Sequence, residues 1–299
     1  MSLLDSIINK VSQSDTNVDE SVSKIAADKA TGLIKELSGS EITSTKKIID
    51  NLILFTNASG GTGASTVACN VAYALSKKNL KVLMIDLNIL CPSQYNYLGL
   101  KQQLDDTDLI SFMLGECSVG ECIKNCSNID LIYANNRSIT DKINANDKVA
   151  IQNFIDLIKK LRNLYDFIIV DCPMSIDDML CNTAMYSADT IYCVWDEGLN
   201  SIANTEKIRR NLALTGVDSY TKMRIILNKR TIVRYSRLPI DKMNLDLIGV
   251  IPFSADVIDS SLSAQIFCEK GKATSENGIE FAKQISIIAD KIASIGGLL

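Results

Sequence analysis

The sequence predicts an α/β fold with three layers, a mostly parallel twisted sheet of about seven strands carrying helices on both faces. Three observations predict it. From Asn51 onward, short apolar runs alternate with stretches of helical period. The first run is joined to the first helical stretch by a glycine-rich turn, Ser59-Gly60-Gly61-Thr62-Gly63. Two later runs end in a carboxylate, Asp86 and Asp171, and an open α/β sheet binds its ligand at the carboxyl ends of its strands.

In chain order, residues 50–56 form an apolar strand. Residues 64–78 follow as a helix, with Val67, Ala68, Val71, Ala72 and Leu75 on one face. Further strands are expected near 81–86, 130–134, 166–171, 190–195, 223–228 and 246–251. Further helices are expected near 148–164, 200–214 and 276–295, the last with Ile285, Ile288, Ile292 and Ile295 as a core stripe. Continuous apolar strands separated by helices imply a parallel sheet buried on both sides. Residues 94–138 are the least regular part and suit a partner-specific insertion.

The stretch Ser59-Gly60-Gly61-Thr62-Gly63-Ala64-Ser65-Thr66 has the outline of a phosphate-binding loop. Strand, glycine turn and helix is the context such a loop requires. Glycines let the backbone approach phosphates without a Cβ, and successive N–H groups form a concave anion site. Ser65 would place a hydroxyl on Mg²⁺, and Asp171 would hold the same ion through water. The lysine that ordinarily reaches the β- and γ-phosphates is missing, because Ala64 stands there. A glycine turn that merely joins strand to helix is the competing reading of these eight residues.

Composition is that of an ordinary globular chain, 46% hydrophobic and 22% charged. No apolar run approaches the ~20 residues of a membrane span. Residues 1–11 have no basic start before a long apolar stretch, so no signal peptide is read and a cytoplasmic protein is expected. The chain has no histidine, which excludes Ser–His triads and histidine metal sites. Its nine cysteines, an odd number, are read as reduced thiols. The spacing of Cys117, Cys122 and Cys126 departs from the C-x2-C of zinc sites, and a helix–loop segment is expected there.

Residues 1–48 hold no Phe, Tyr, Trp or Pro and read as a helical N-terminal arm preceding a nucleotide-binding domain over 49–299. Its apolar faces are Leu3, Leu4, Ile7, Ile8 and Val11, then Val22, Ala26, Ala30, Leu33 and Leu37. The arm packs on its own domain or a dimer mate, docks a partner protein, or lies on a membrane; its sequence leaves these open. Between Thr205 and Lys242, ten basic residues face three acidic ones, with Tyr235 between Arg234 and Arg237. Such a stretch is either a solvated face or a patch that binds phosphate backbones of DNA without sequence preference.

The loop, followed by VACNVAYALSKKNLKVLMIDLN, resembles the ParA/MinD group of P-loop ATPases over roughly residues 50–299. The wording G-G-x-G-A-S-T is similar to the CpaE/TadZ branch of pilus-assembly and localisation proteins. Asp171-Cys172-Pro173 resembles the Walker B strand end. Asn228-Lys229 resembles the strand end whose Asn reads adenine, and Pro252-Phe253 the segment that closes over the base. The resemblance implies a P-loop NTPase fold with ATP and Mg²⁺ as ligands. Nucleotide would be bound by Gly60, Gly61, Thr62, Gly63, Ala64, Ser65, Thr66, Asn228, Lys229, Pro252 and Phe253. Ser65, Asp86 and Asp171 would surround the metal, and Asp86, Asn88 and Asp171 would form the catalytic group.

Three positions depart from the family. Ser59 replaces its signature Lys, Ala64 its P-loop Lys, and Asn88 the second Asp of D-x-D. Phosphoryl transfer rests on positioning and electrostatic stabilisation, so these losses reduce turnover more than binding. The resulting expectation is an ATP-binding dimer switch with slow or absent hydrolysis. It would serve a pilus, secretion or conjugation machine, and partners would recruit it to the cell pole or inner membrane surface. A ParA-like partition ATPase binding DNA through 205–242, and a nucleotide-free scaffold, are the alternatives. Whether Lys77, Lys78, Lys81 or Lys229 replaces the lost cations is not readable from spacing.

Overall fold

The computed structural model describes residues 50–101, 106–126, 128–135, 148–175, 178–214, 216–231 and 243–297. The N-terminal arm, and Arg234, Tyr235, Arg237 and Lys242 of the basic stretch, lie outside the described residues.

Eight strands form one sheet: β1 (Leu52–Asn57), β2 (Val82–Asp86), β3 (Lys124–Cys126), β4 (Ile129–Ile132), β5 (Phe167–Cys172), β6 (Thr190–Trp195), β7 (Met223–Arg230) and β8 (Asp246–Pro252). Their order is β3-β4-β2-β5-β1-β6-β7-β8. All pairings are parallel except β3 with β4. The seven expected strands are present, and β3 corrects the count to eight. β3 is three residues long, half-exposed and ends at Cys126, so it carries no apolar period to read. Such a short edge strand bearing a lysine resists further pairing. It also corrects the helix–loop expectation for the cysteine segment: Cys122 ends a helical turn, Val119–Cys122, and Cys126 lies on a strand.

The main helices are α1 (Ala64–Ser76), α2 (Lys148–Leu161), α3 (Met179–Ser187), α4 (Leu199–Leu214), α5 (Ala255–Leu262) and α6 (Glu276–Ile295). Successive residues of β1 point to opposite faces, as a period of two requires. Leu52 and Leu54 join one core with Phe154 of α2, Leu180 of α3 and Leu212 of α4. Ile53 and Phe55 join the other with Val71 of α1 and Ile285 of α6. Each fully buried Leu, Ile or Phe contributes roughly 1.5–3 kcal/mol relative to exposure. Two cores on one sheet explain why these strands read as unbroken apolar runs. Of the α6 stripe, Ile285, Ile288 and Ile292 are buried, while Ile295 is 40% exposed at the helix end. The sequence missed α3 because residues 179–185 are all buried, which erases the polar face that a helical period needs.

At the amino edge of the strands, Arg162 closes the end of the sheet. Its guanidinium donates to both oxygens of Asp189, at 2.7 and 3.0 Å, to the Asn51 Oδ1 and to the Ser187 carbonyl. Asp189 in turn accepts the Leu52 N–H that begins β1, at 2.8 Å.

Candidate functional site

β1 lies between β5 and β6, and the glycine loop leaves its carboxyl end. The Ala58 N–H donates to the Val194 carbonyl at 3.0 Å, which roots the loop on β6. Asn57 ties the other side: its Nδ2 donates to the Ser59 carbonyl, and its Oδ1 accepts the Met174 N–H after β5. Gly61 and Gly63 take φ of 82° and 87°, a left-handed conformation that glycine adopts without a Cβ penalty. At Gly63 space adds a second demand, because a Cβ there would lie 2.6 Å from Asn228 Nδ2. Gly63 caps α1 with no side-chain hydrogen bond. Thr62 is buried, and its hydroxyl has no partner among the described residues.

β2 and β5 run side by side with Asp86 opposite Asp171, so two buried carboxylates meet beside the loop. Asp171 is 3% exposed and accepts from Gln94 Nε2 at 2.6 Å and from the Ser65 hydroxyl. Burial raises its pKa, and those two hydrogen bonds oppose the rise. Asp86 accepts the backbone N–H groups of Asn88, Ser93 and Gln94 at 2.8–3.0 Å. Burial pushes its carboxyl up to about 7, the charge of Asp171 adds to the rise, and the three amides oppose it.

The two aspartates therefore occupy different surroundings. Asp171 faces Ser65 and Gln94, whereas Asp86 organises the backbone that follows β2. The Asn88 Oδ1 accepts the Cys91 N–H at 3.3 Å in the turn after β2. Of the expected grouping of Asp86, Asn88 and Asp171, the structure sets the two aspartates opposite each other on adjacent strands. Asp86 and Asp171 are neighbours, and the Asn88 side chain has a bond within its own turn.

Gln94 was missed by sequence reasoning. It is fully buried, and its Nε2 donates both to Asp171 and to the Ser65 carbonyl. Its Oε1 has no partner among the described residues. No period or spacing marks it, and its only signal is that it follows Asp86 in a polar run, Ser93-Gln94-Tyr95-Asn96. The Asp171 carboxylate and the Ser65 hydroxyl are oxygen groups of the kind a hard divalent cation takes, and Gln94 holds that carboxylate through its Nε2.

On the other side of the loop a cavity of about 220 Å³ is lined by Gly63, Thr66, Tyr97, Asn228, Lys229, Pro252, Phe253 and Ser254, together with residues of α5. The sequence-expected Asn228, Lys229, Pro252 and Phe253 thus converge with Gly63 and Thr66. Asn228 Nδ2 donates to the Thr62 carbonyl at 2.8 Å, fastening β7 to the loop. Tyr97, which sequence reasoning also missed, shares a 3.0 Å hydrogen bond with the Thr66 hydroxyl. The buried Ser254 hydroxyl has no partner among the described residues. The wall is mostly apolar with a few polar groups, as small-molecule sites are.

Of the four lysines weighed as substitutes, Lys229 alone has a described contact with the loop. Lys77 and Lys78 follow the far end of α1, and Lys78 pairs with Asp290. Lys81 lies over the Tyr165 ring.

The described basic residues of the stretch do not form one face. Arg209 is buried, pairs with Glu206 at 2.7 Å and lies over the Tyr220 ring. Lys222 donates to the Tyr186 carbonyl at 2.6 Å just before β7 begins, whereas Lys229 and Arg230 end that strand. A strand of this length separates its ends by about 23 Å, so the described basic groups are divided between two edges of the sheet. Among the described residues no helix is long and apolar enough to cross a membrane.

Residues 50–218 match the AAA_31 family model, an AAA domain. The septum site-determining protein MinD of Thermotoga maritima is 29% identical over 221 residues, which cover 71% of this chain and 78% of that protein. Among solved structures, the cell division ATPase MinD of Pyrococcus furiosus superposes with a TM-score of 0.65 at 23% identity, over 83% of this chain and all of that one. A ParA family ATPase from Chlorobium tepidum gives a TM-score of 0.66, also at 23% identity, over 81% of this chain and 98% of that one.

Proposed function

The chain belongs to the AAA_31 family of AAA domains, in the ParA/MinD group of P-loop ATPases, and from that membership we propose that it is a Mg-ATP-dependent positioning protein with slow turnover. The single observation that carries this reading is the convergence at the carboxyl edge of β1. A glycine loop, a buried carboxylate with a serine hydroxyl and an orphaned amide oxygen, and a largely apolar cavity surround the same turn.

In this reading the loop N–H groups take the phosphates. Asp171 and Ser65 would hold the metal, with Gln94 orienting the Asp171 carboxylate, and Asn228, Pro252 and Phe253 would hold the base. When bound, Mg-ATP supplies the divalent charge that the two aspartates lack, and a γ-phosphate that distinguishes it from ADP. Slow turnover follows from residues of this chain. Position 59 lacks the family's signature lysine and position 88 the second aspartate of its pattern. Binding without rapid hydrolysis suits a switch, in which ligand shifts an equilibrium by its differential affinity for two states.

The state favoured by ATP is a homodimer in this proposal. The dimer recruits a pilus, secretion or conjugation machine, as the loop wording G-G-x-G-A-S-T suggests, with the N-terminal arm or residues 94–138 as the partner surface. A partition role has weaker support, because the described basic groups are split between the two edges of the sheet. Light scattering on the full chain tests the switch. A dimer with Mg-ATP and a monomer with Mg-ADP or no nucleotide is expected. One molar mass in all three conditions rejects nucleotide-controlled assembly.

A further inference from the structure

The loop has the geometry to surround an anion and no cation of its own, since Ser59 and Ala64 are both uncharged. Its only described contact with a cation comes from a distant segment of the chain. The Lys229 Nζ donates to the Gly61 carbonyl at 2.5 Å, and Lys229 Cε lies 3.6 Å from where a Cβ on Gly63 would be. The lysine stem therefore runs across the turn beside Gly63, the residue just before the position where a lysine is missing.

Two backbone features aim it there. Lys229 has φ of 55°, a left-handed conformation that residues with a Cβ seldom adopt. The pairing of β7 with β8 shifts register between Leu227 and Arg230, so the irregularity spans Asn228 and Lys229. An irregularity of this kind re-aims a side chain at the end of a strand. Asn228, held to the Thr62 carbonyl, anchors the backbone immediately before it. Lys229 itself is exposed, and among the described residues its ammonium makes no salt bridge. A charged group held on a neutral carbonyl at the mouth of an anion cradle is free to exchange that carbonyl for a phosphate oxygen, a stronger charge-assisted partner.

We propose that Lys229, delivered from the end of β7, is the phosphate-facing cation of this nucleotide site and takes the place of the lysine absent at position 64. The proposal rests on the nucleotide-binding reading above and adds the source of its positive charge. On this account the ammonium leaves the Gly61 carbonyl when nucleotide enters and pairs with the terminal phosphates. Selectivity for ATP over AMP then depends on a residue about 165 positions away from the loop in sequence.

The test is calorimetric titration of the full chain with Mg-ATP and, separately, with AMP. Wild type, Lys229→Met, Lys229→Arg and the double variant Lys229→Met with Ala64→Lys are compared. Loss of one charge-assisted contact predicts roughly a ten- to hundredfold weaker Mg-ATP affinity in Lys229→Met, with AMP changed far less. Lys229→Arg keeps most of the preference, and Ala64→Lys restores it in the Met background, an outcome that a purely structural role would not give. Unliganded melting temperatures verify that each variant folds. A wild type that binds Mg-ATP alongside a Lys229→Met variant with an unchanged ATP-to-AMP preference overturns the lysine assignment alone. Tighter Mg-ATP binding by that variant also overturns it, because Lys229 would then be a plug. A wild type that binds neither nucleotide overturns the lysine assignment and the nucleotide reading together.

Discussion

The two edges of the sheet are built on opposite principles. At the amino edge, Arg162, Asp189 and Asn51 satisfy one another, with five of the hydrogen bonds there between 2.7 and 3.1 Å. At the carboxyl edge, two buried aspartates stand opposite each other, and Thr62, Gln94 and Ser254 each keep a buried oxygen without a partner among the described residues. Burying polar groups unpaired costs free energy, so the second edge weakens the unliganded fold where the first supports it. The difference teaches where to look for function: the satisfied edge stabilises the fold, and the unsatisfied edge awaits a ligand.

Substitutions can break this contrast from either side. The largest expected effect on stability is from Arg162→Met, which leaves the Asp189 carboxylate partly buried without its counter-charge. Because the pair is not fully buried, a loss of about 2–4 kcal/mol is expected in urea unfolding. Nucleotide affinity of the folded fraction should stay unchanged, and a parallel loss of affinity would mean that the two edges are not independent. At the other edge, Asp171→Asn should have the reverse signature. Removing one of two adjacent buried carboxylates should leave the melting temperature of the metal-free protein equal or higher. The stabilisation that saturating Mg-ATP gives, about 2.7 kcal/mol at a hundred times the dissociation constant, should disappear. A variant that melts lower without ligand and keeps its response to Mg-ATP would refute the contrast.

A pH dependence tests the carboxyl edge without a ligand. Asp86 has a folded pKa of about 7 against an ordinary value of 3.8. A carboxyl raised in this way contributes stability that is complete below the unfolded value and is lost as pH rises through the folded one. The metal-free protein should therefore melt at a lower temperature at about pH 8 than at about pH 5, by the linkage of proton binding to folding. Asp86→Asn should flatten that dependence. A wild-type curve that rises over this interval would show that the three amides accepted by Asp86 outweigh its burial.

Much of this was legible in the sequence because burial on both faces leaves a plain record. Strands β1, β2 and β5 to β8 are apolar runs, and the glycines of the loop mark a turn that only glycine makes cheaply at Gly61 and Gly63. β3 and α3 were not legible, for opposite reasons. One is too short and exposed to carry a period, and the other is buried all round. Gln94 and Tyr97 were missed because side-chain amides and phenols occur throughout any chain, and their part in the site arises only from what lies across from them.

The sequence by itself determined the parallel sheet, the glycine loop after its first strand, and the two aspartates at strand ends. These are local properties, set by period, backbone freedom and the direction of a strand. Only the tertiary structure decided that Asp86 serves the backbone while Asp171 faces Ser65 and Gln94. It also divided the described basic residues between two edges, and chose Lys229 rather than Lys77, Lys78 or Lys81 to meet the loop. Those outcomes depend on strand order, which brings together residues far apart in the chain, and spacing along a sequence carries no record of which strand becomes whose neighbour.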